Sequence, residues 1–248
     1  MKVIKLFKKQ GAHQGVHSCE SLLLRRSYGI EGDANAAIGS PRQVLMAGLP
    51  SLTQFDLQPG QMQENMLIDC AVEAFISGQV LQIGSDALIR LMHLCEPCAT
   101  LEKLQPGLAK RIKGKRGLLG MVVRDGWIKV GDHVTLTAHQ FPLIPESTRG
   151  RFEEFVSRIP SGNVVRTSDL LLALGLTRGY YRSIPILLKK SAAQIPVHRV
   201  VASDGSLLLR HVPHQRDALL SEGVELVNDR VADRYYWQPI DFHDLGLF

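Results

Sequence analysis

No apolar run in this 248-residue chain approaches the ~20 residues that a membrane-spanning helix requires. Met1 to Gln10 is short, basic and alternating; it lacks the apolar centre of a signal peptide and reads as a first strand. Cysteine is scarce as well. Four of them without a signal segment argue against a disulfide framework and for a reducing compartment, so a cytoplasmic location is expected, with no membrane partner. There is no internal repeat and no low-complexity tract. What remains is 45% hydrophobic and 21% charged residues, enough for two buried cores in domains of roughly 100–150 residues each.

The formal charge of +5 is modest, but it is unevenly placed. Residues 147–199 carry nine Lys and Arg against three acids, and residues 200–248 carry four against eight. A basic face joined to an acidic one suits a DNA-facing surface, the alternative being a solvated helix face.

Short β-type runs separated by Gly turns fill residues 1–137: Val3–Phe7, Gln43–Met46, Gln79–Ile83, Ala87–Leu91, Gly120–Val123 and His133–Leu136. Many short strands predict a barrel or sandwich, and Asp125-Gly126 reads as a hairpin turn. Residues 138–146, with two prolines and no periodicity, read as a linker. Past it the period becomes helical. Phe152, Phe155, Val156 and Ile159 share one face, with Ser147 or Thr148 as N-cap and Pro160 as the stop. Thr167 can cap a second helix ending at Gly175. Pro185 costs about 3 kcal/mol inside a helix but little in its first turn, so a third helix is expected to start near Arg182 or Ser183 and reach about Lys190. The expected fold is a two-domain α+β protein: a strand-rich β-barrel over 1–137, a mainly helical helix-turn-helix-type domain over 147–236, and a C-terminal tail over 237–248.

One set of motifs in the first half is specific when taken together: Gly29-Ile30-Glu31-Gly32-Asp33, Arg42-Gln43-Val44, Pro59-Gly60 with Glu64-Asn65, Val80-Leu81-Gln82-Ile83-Gly84, Cys95-Glu96-Pro97-Cys98, Arg116-Gly117, and Gly126 to Val130 leading into Gly131-Asp132. Their order and spacing resemble the MOSC domain, the C-terminal module of molybdenum-cofactor sulfurases. The resemblance implies a cleft holding the molybdenum cofactor (molybdopterin) and a cysteine that carries sulfur or ligates molybdenum. A thiolate is a soft anionic ligand suited to both tasks. Cys98 follows Pro97 as in the family's Asn-Pro-Cys motif and is the expected acting thiol and molybdenum ligand, with Cys95 as runner-up or resolving partner. Arg42, Glu64 and Asn65 match motif positions expected at the cofactor, although turn roles stay open for the last two. Residues 103–116 hold Lys103, Lys110, Arg111, Lys113, Lys115 and Arg116 with no acid. From that run Lys113, Lys115 and Arg116 can bind a cofactor phosphate and lower the thiol pKa, the alternative being a solvated basic loop. Asn35 stands where many members have a histidine, which removes a proton relay there. A structural zinc would draw on His93, Cys95 and Cys98, or on His13, His17 and Cys19, with a distant fourth ligand. Cys19 and Cys70 otherwise read as small hydrophobes.

The second half contains Ile195-Pro196-Val197-His198-Arg199-Val200-Val201, preceded by Ile159–Val165 and followed by Ser203-Asp204-Gly205 and Leu219–Val224. This resembles the Pro-Cys-His-Arg-Val-Val signature of the O6-alkylguanine-DNA alkyltransferases, with valine in place of the alkyl-accepting cysteine. An isopropyl group has no lone pair and cannot attack carbon. The half is therefore similar to alkyltransferase-like proteins, which hold DNA without repairing it. That resemblance implies a helix-turn-helix in the minor groove and an arginine replacing the extruded base. Arg182, in Tyr180-Tyr181-Arg182-Ser183, matches that arginine. Arg178, Tyr181, Lys189, Lys190 and Arg199 complete the expected DNA-facing set, while His198 beside the vestigial Val197 buttresses the pocket. Thr167 stands where the family has a tyrosine.

Together these readings point to a molybdenum-cofactor oxidoreductase acting on N-hydroxylated bases, with a non-catalytic DNA-binding module. Its partners would be duplex DNA or a nucleobase and an electron-donor protein. The alternatives are a sulfur or molybdopterin carrier serving another enzyme, and a DNA-damage recognition protein without alkyl transfer.

Overall fold

The computed structural model describes residues 1–11, 14–97 and 99–243. It divides into two compact units, one spanning Met1–Ile144 and one beginning at Pro145. No helix among the described residues is long and apolar enough to cross a membrane.

The first unit runs β1 (Val3–Lys9), β2 (Val16–Cys19), β3 (Ser21–Arg25), β4 (Gly29–Ile30), β5 (Val44–Gly48), α1 (Leu49–Gln54), β6 (Met66–Ile68), β7 (Gln79–Ile83), β8 (Ala87–Leu94), α2 (Ala99–Leu104), α3 (Leu108–Arg111), β9 (Leu118–Arg124), β10 (Gly126–Lys129) and β11 (Val134–Gln140). Eight strands form one sheet in the order β11-β7-β8-β9-β5-β6-β1-β2, and a second sheet has the order β10-β3-β4. The central strand β5 is buried along its whole length, as expected when both faces of a strand are covered. Leu22, Leu24, Ile30 and Ile128 of the small sheet share one core with Leu6, Met46, Met66, Ile89 and Val122 of the large one. On the other side Leu52, Leu101, Leu108 and Ile112 of the helical segments pack with Ala47 and Leu67.

Three expectations are corrected here. Among the described residues the strands close no barrel: the ladder ends at β11 and β2, and Lys2 and His133, just before β1 and β11, form only an isolated bridge. Asp125-Gly126 is not a β9–β10 hairpin, because β10 pairs with β3 in the register Gly126–Leu24 to Lys129–Ser21. Glycine serves close approach instead, since a Cβ at Gly126 would lie 2.6 Å from the backbone nitrogen of Ala87. Residues 138–144 are no linker. Phe141 is buried under the Arg90 guanidinium, 4.3 Å from its ring centre, and Ile144 N donates to Ser77 Oγ at 2.9 Å.

The second unit contains α4 (Thr148–Arg158), β12 (Val165–Arg166), α5 (Thr167–Ala173), α6 (Ile184–Lys190), β13 (Val200–Val201), α7 (Gln215–Ser221), β14 (Leu226–Val227), β15 (Arg230–Val231) and α8 (Pro239–His243). Short helices thus alternate with two small strand pairs, β12–β13 parallel and β14–β15 antiparallel, rather than forming a mainly helical domain. Ser147 caps α4, accepting from Gly150 N at 3.0 Å. Pro185 lies in the first turn of α6, where its missing N–H costs nothing. Arg166, not Thr167, occupies the N-cap of α5, and Thr167 Oγ1 instead lies 2.9 Å from Ser203 Oγ. Residues 237–243 pack rather than trail: Phe242 is buried with its ring 4.4 Å from that of Phe155.

Gln43 joins the strands around β5. Fully buried, it donates to Ser27 O at 2.6 Å and Ala37 O at 3.2 Å, and accepts from Val122 N at 2.9 Å. Gln43→Leu would strip Ser27 O and Val122 N of this partner, each costing about 1–3 kcal/mol, while Ala37 O keeps Ser40 N at 3.2 Å. Urea unfolding should show the first unit destabilised by about 2 kcal/mol or more; a loss below about 1 kcal/mol would contradict this role.

Candidate functional site

β8 delivers the chain into Cys95-Glu96-Pro97. Cys95 N donates to Gly117 O at 2.9 Å, and Gly117 has φ +125°. A Cβ there would lie 2.4 Å from Met46 O, so glycine permits this close approach of β9 to β5. The preceding Arg116 is only 5% exposed. Its Nη1 donates to Glu96 O at 2.5 Å, and its Nε has no hydrogen-bond partner among the described residues. Arg42, just before β5, directs Nη2 to Cys95 Sγ at 3.8 Å. The structure therefore brings Arg42, Arg116 and Cys95 to one loop.

Cys98, the expected acting thiol, lies outside the described residues, as does His13. Cys95 is 1% exposed and sits in an apolar cluster with Leu45, Met92, Leu119 and Met121. A substrate has no direct access to a sulfur so enclosed. Cys19 and Cys70 are half-buried free thiols packed against the main core. Among the described residues no three His, Cys, Asp or Glu side chains converge as a metal site.

The other motif residues bind backbone. Asn65 is buried; its Oδ1 accepts from Leu45 N at 3.0 Å, and its Nδ2 donates to Phe7 O at 3.3 Å and Asp33 Oδ2 at 3.0 Å. Asp33 also accepts from Lys9 N and Asn35 N, each at 2.8 Å. Glu64 accepts from Gly60 N at 2.5 Å, and burial, opposed by backbone N–H groups, pushes its carboxyl above the usual range. Glu64 and Asn65 thus act in turns and strand pairing. Lys113 and Lys115 are exposed, with Lys115 Nζ donating to Gln54 Oε1 at 2.7 Å.

In the second unit Glu222 gathers the residues around Val197. Its carboxylate accepts from Arg199 Nη2 at 2.7 Å, Arg199 Nε at 3.0 Å and Gly162 N at 3.0 Å, with His198 Nε2 at 2.8 Å. Arg199 Nη1 donates to Ile159 O at 2.6 Å. The whole Arg199 fork is directed into the protein, so this residue is removed from the DNA-facing set. Val197 packs against the unit's main core. Arg178, Tyr181, Arg182, Lys189 and Lys190 are all exposed, with the Tyr181 hydroxyl accepting from Ser203 Oγ at 3.2 Å. Sequence reasoning misses Glu222, although it lies within the Leu219–Val224 motif.

Residues 34–135 match the MOSC domain. Arg42, Glu64, Asn65, Cys95, Cys98 and Arg116 all fall within that match. Among solved structures, the chain is similar to the YuaD protein of Bacillus subtilis, with 17% identity, 57% of this chain and 96% of that one covered, and a TM-score of 0.47. It is also similar to YiiM from Geobacillus stearothermophilus, with 14% identity, 88% and 98% covered, and a TM-score of 0.46. A third, S. pombe Atl1 in complex with damaged DNA containing O6-carboxymethylguanine, has 24% identity, 37% and 95% covered, and a TM-score of 0.32. No curated protein sequence matches the chain.

Burial alone would raise the Glu222 carboxyl, but hydrogen bonds from Arg199, His198 and Gly162 N override it and hold the pKa at about 2, against 4.5 ordinarily. A folded-state pKa below the unfolded one stabilises above pH 4.5, and that contribution is lost as the pH falls toward 2. Screening by solvent at this partly exposed site leaves its size on the order of 1–2 kcal/mol. Glu222→Gln should destabilise the second unit at pH 7 and flatten its unfolding free energy across that acid window. An unchanged acid profile would show that Glu222 does not hold the pair.

Proposed function

We propose that the first unit is a MOSC module holding a molybdenum cofactor and reducing N-hydroxylated bases or related compounds, and that the second is a DNA-holding module without alkyl transfer. The observation carrying the first part is the buried Arg116 guanidinium, with an Nε lacking a partner among the described residues, on the loop where Arg42 meets the Cys95 sulfur. Two guanidiniums beside a thiol-bearing loop fit an anionic, sulfur-rich pterin phosphate, because arginine pairs with phosphate through a planar fork.

In this reading Arg116 and Arg42 hold the anionic cofactor, and Arg116 also fixes the loop through Glu96 O. Cys95, enclosed and bound to Arg42, positions the loop. That leaves Cys98 as the thiolate that ligates the metal. The bound cofactor supplies two-electron transfer. The net reaction consumes two electrons from a donor protein and two protons, breaks the N–O bond of R–NHOH, and releases R–NH2 and water. In the second unit Val197 offers no nucleophile, while exposed Arg178, Arg182, Lys189 and Lys190 offer cations to phosphate.

Protein purified from a host that makes the cofactor, supplied with a reduced electron donor, should convert a hydroxylaminopurine to the aminopurine. Cys98→Ser should abolish turnover, Arg42→Ala should cost about tenfold or more in cofactor retention, and Val197→Ala should leave turnover intact. Absence of turnover in the cofactor-loaded wild type would remove the reductase reading. Persulfide on Cys98 without turnover would favour the sulfur carrier.

A further inference from the structure

The basic run at 103–116 separates into one buried cation and five exposed ones. Leu101, Leu108 and Ile112 are fully buried and anchor α2 and α3 against Leu52 and Leu67. With the apolar positions turned inward, Lys103, Lys110, Arg111, Lys113 and Lys115 are left in solvent, while Arg116 alone is buried at the thiol loop. The hairpin's single acid, Glu102, is tied to the turn: Oε1 accepts from Gly107 N at 2.7 Å and Oε2 from Ala109 N at 3.3 Å. None of the five exposed cations appears in a salt bridge among the described residues. The molecule thus fixes five like charges on a packed hairpin whose one acid, Glu102, is committed to the turn.

We propose that this α2–α3 hairpin is a second nucleic-acid surface, one that grips the phosphate backbone from the first unit. One cofactor phosphate needs fewer than five cations. Stable membrane attachment is favoured by an apolar face turned outward, whereas helices of six and four residues here leave only Leu104 exposed among the large hydrophobics of the hairpin. A protein partner would require a desolvated apolar centre, which the hairpin equally lacks. Flexible ammonium groups and one guanidinium over an open surface suit a repeating, sequence-independent row of phosphates. This surface does not depend on the cofactor assignment or on Arg182.

The test uses the full chain with fluorescent duplex and single-stranded oligonucleotides, anisotropy being recorded across a salt series. The Lys103→Gln, Lys110→Gln, Arg111→Gln triple variant should lower the log–log salt slope by about 0.9 for each phosphate no longer neutralised on a duplex and about 0.7 on a single strand, or about three and about two units in all. Affinity should fall at least tenfold and equally for unrelated sequences, and the melting temperature should be unchanged. Arg182→Ala should leave that slope within about one unit of wild type. An unchanged slope in the triple variant would overturn the proposal, as would loss of binding with Arg182→Ala alone. So would wild-type binding to phosphatidylserine vesicles but to no oligonucleotide. None of these outcomes touches hydroxylaminopurine turnover, so this surface and the reductase reading stand or fall separately.

Discussion

The first unit depends on buried side chains that hydrogen-bond backbone where strand pairing leaves gaps. β5 is flanked by β9 and β6, and a polar hub serves each side of it. Gln43 reaches Val122 N of β9, and Asn65 takes Leu45 N of β5 while holding Phe7 O of β1. An unpaired buried amide is costly, so these few side chains fix the strands against sliding. Arg42 immediately precedes Gln43, and Gly117 carries the carbonyl that receives Cys95 N. The placement of both guanidiniums at the thiol loop therefore follows from how β5 and β9 are held.

Cations in this chain divide by what surrounds them. Arg116 lies at the start of a buried strand and is drawn inside by the Glu96 carbonyl, whereas the lysines before it face water because the apolar residues between them fill the core. Arg199 shows the same logic in the second unit. A cation five times a donor, beside a half-buried carboxylate, is worth more to the fold than to a ligand, and Glu222 claims it. The fold around Val197 thus keeps His198, Arg199 and Glu222 joined, with no nucleophile for them to serve.

Strands with strong apolar content were legible in the sequence: β1, β5, β7, β8, β9 and β11 all lie where the runs predict them. β2 was not, because its residues Val16–Cys19 are exposed or half-buried and carry no alternation. Long-range pairing is equally invisible locally, which is why β10 joins β3 despite a good turn beside it. α4 was legible from its cap, face and proline stop, and the start of α6 from Pro185. The site was legible in part. Arg42 reaches the Cys95 sulfur and Arg116 the neighbouring Glu96 carbonyl, but Glu64 and Asn65 looked alike as motif residues and only their backbone partners reveal turn and pairing roles. The enclosure of Cys95 depends on Leu119 and Met121 from another strand, which spacing alone does not disclose.

All four cysteines lie in the first unit, and the proposed acting sulfur, Cys98, is one of them. X-ray absorption at the molybdenum edge, on protein purified from a host that makes the cofactor, tests this most directly. One protein sulfur should neighbour the metal in wild type, vanish in Cys98→Ser and persist in Cys70→Ser. No molybdenum in the wild type, or the same sulfur count in Cys98→Ser, would contradict it.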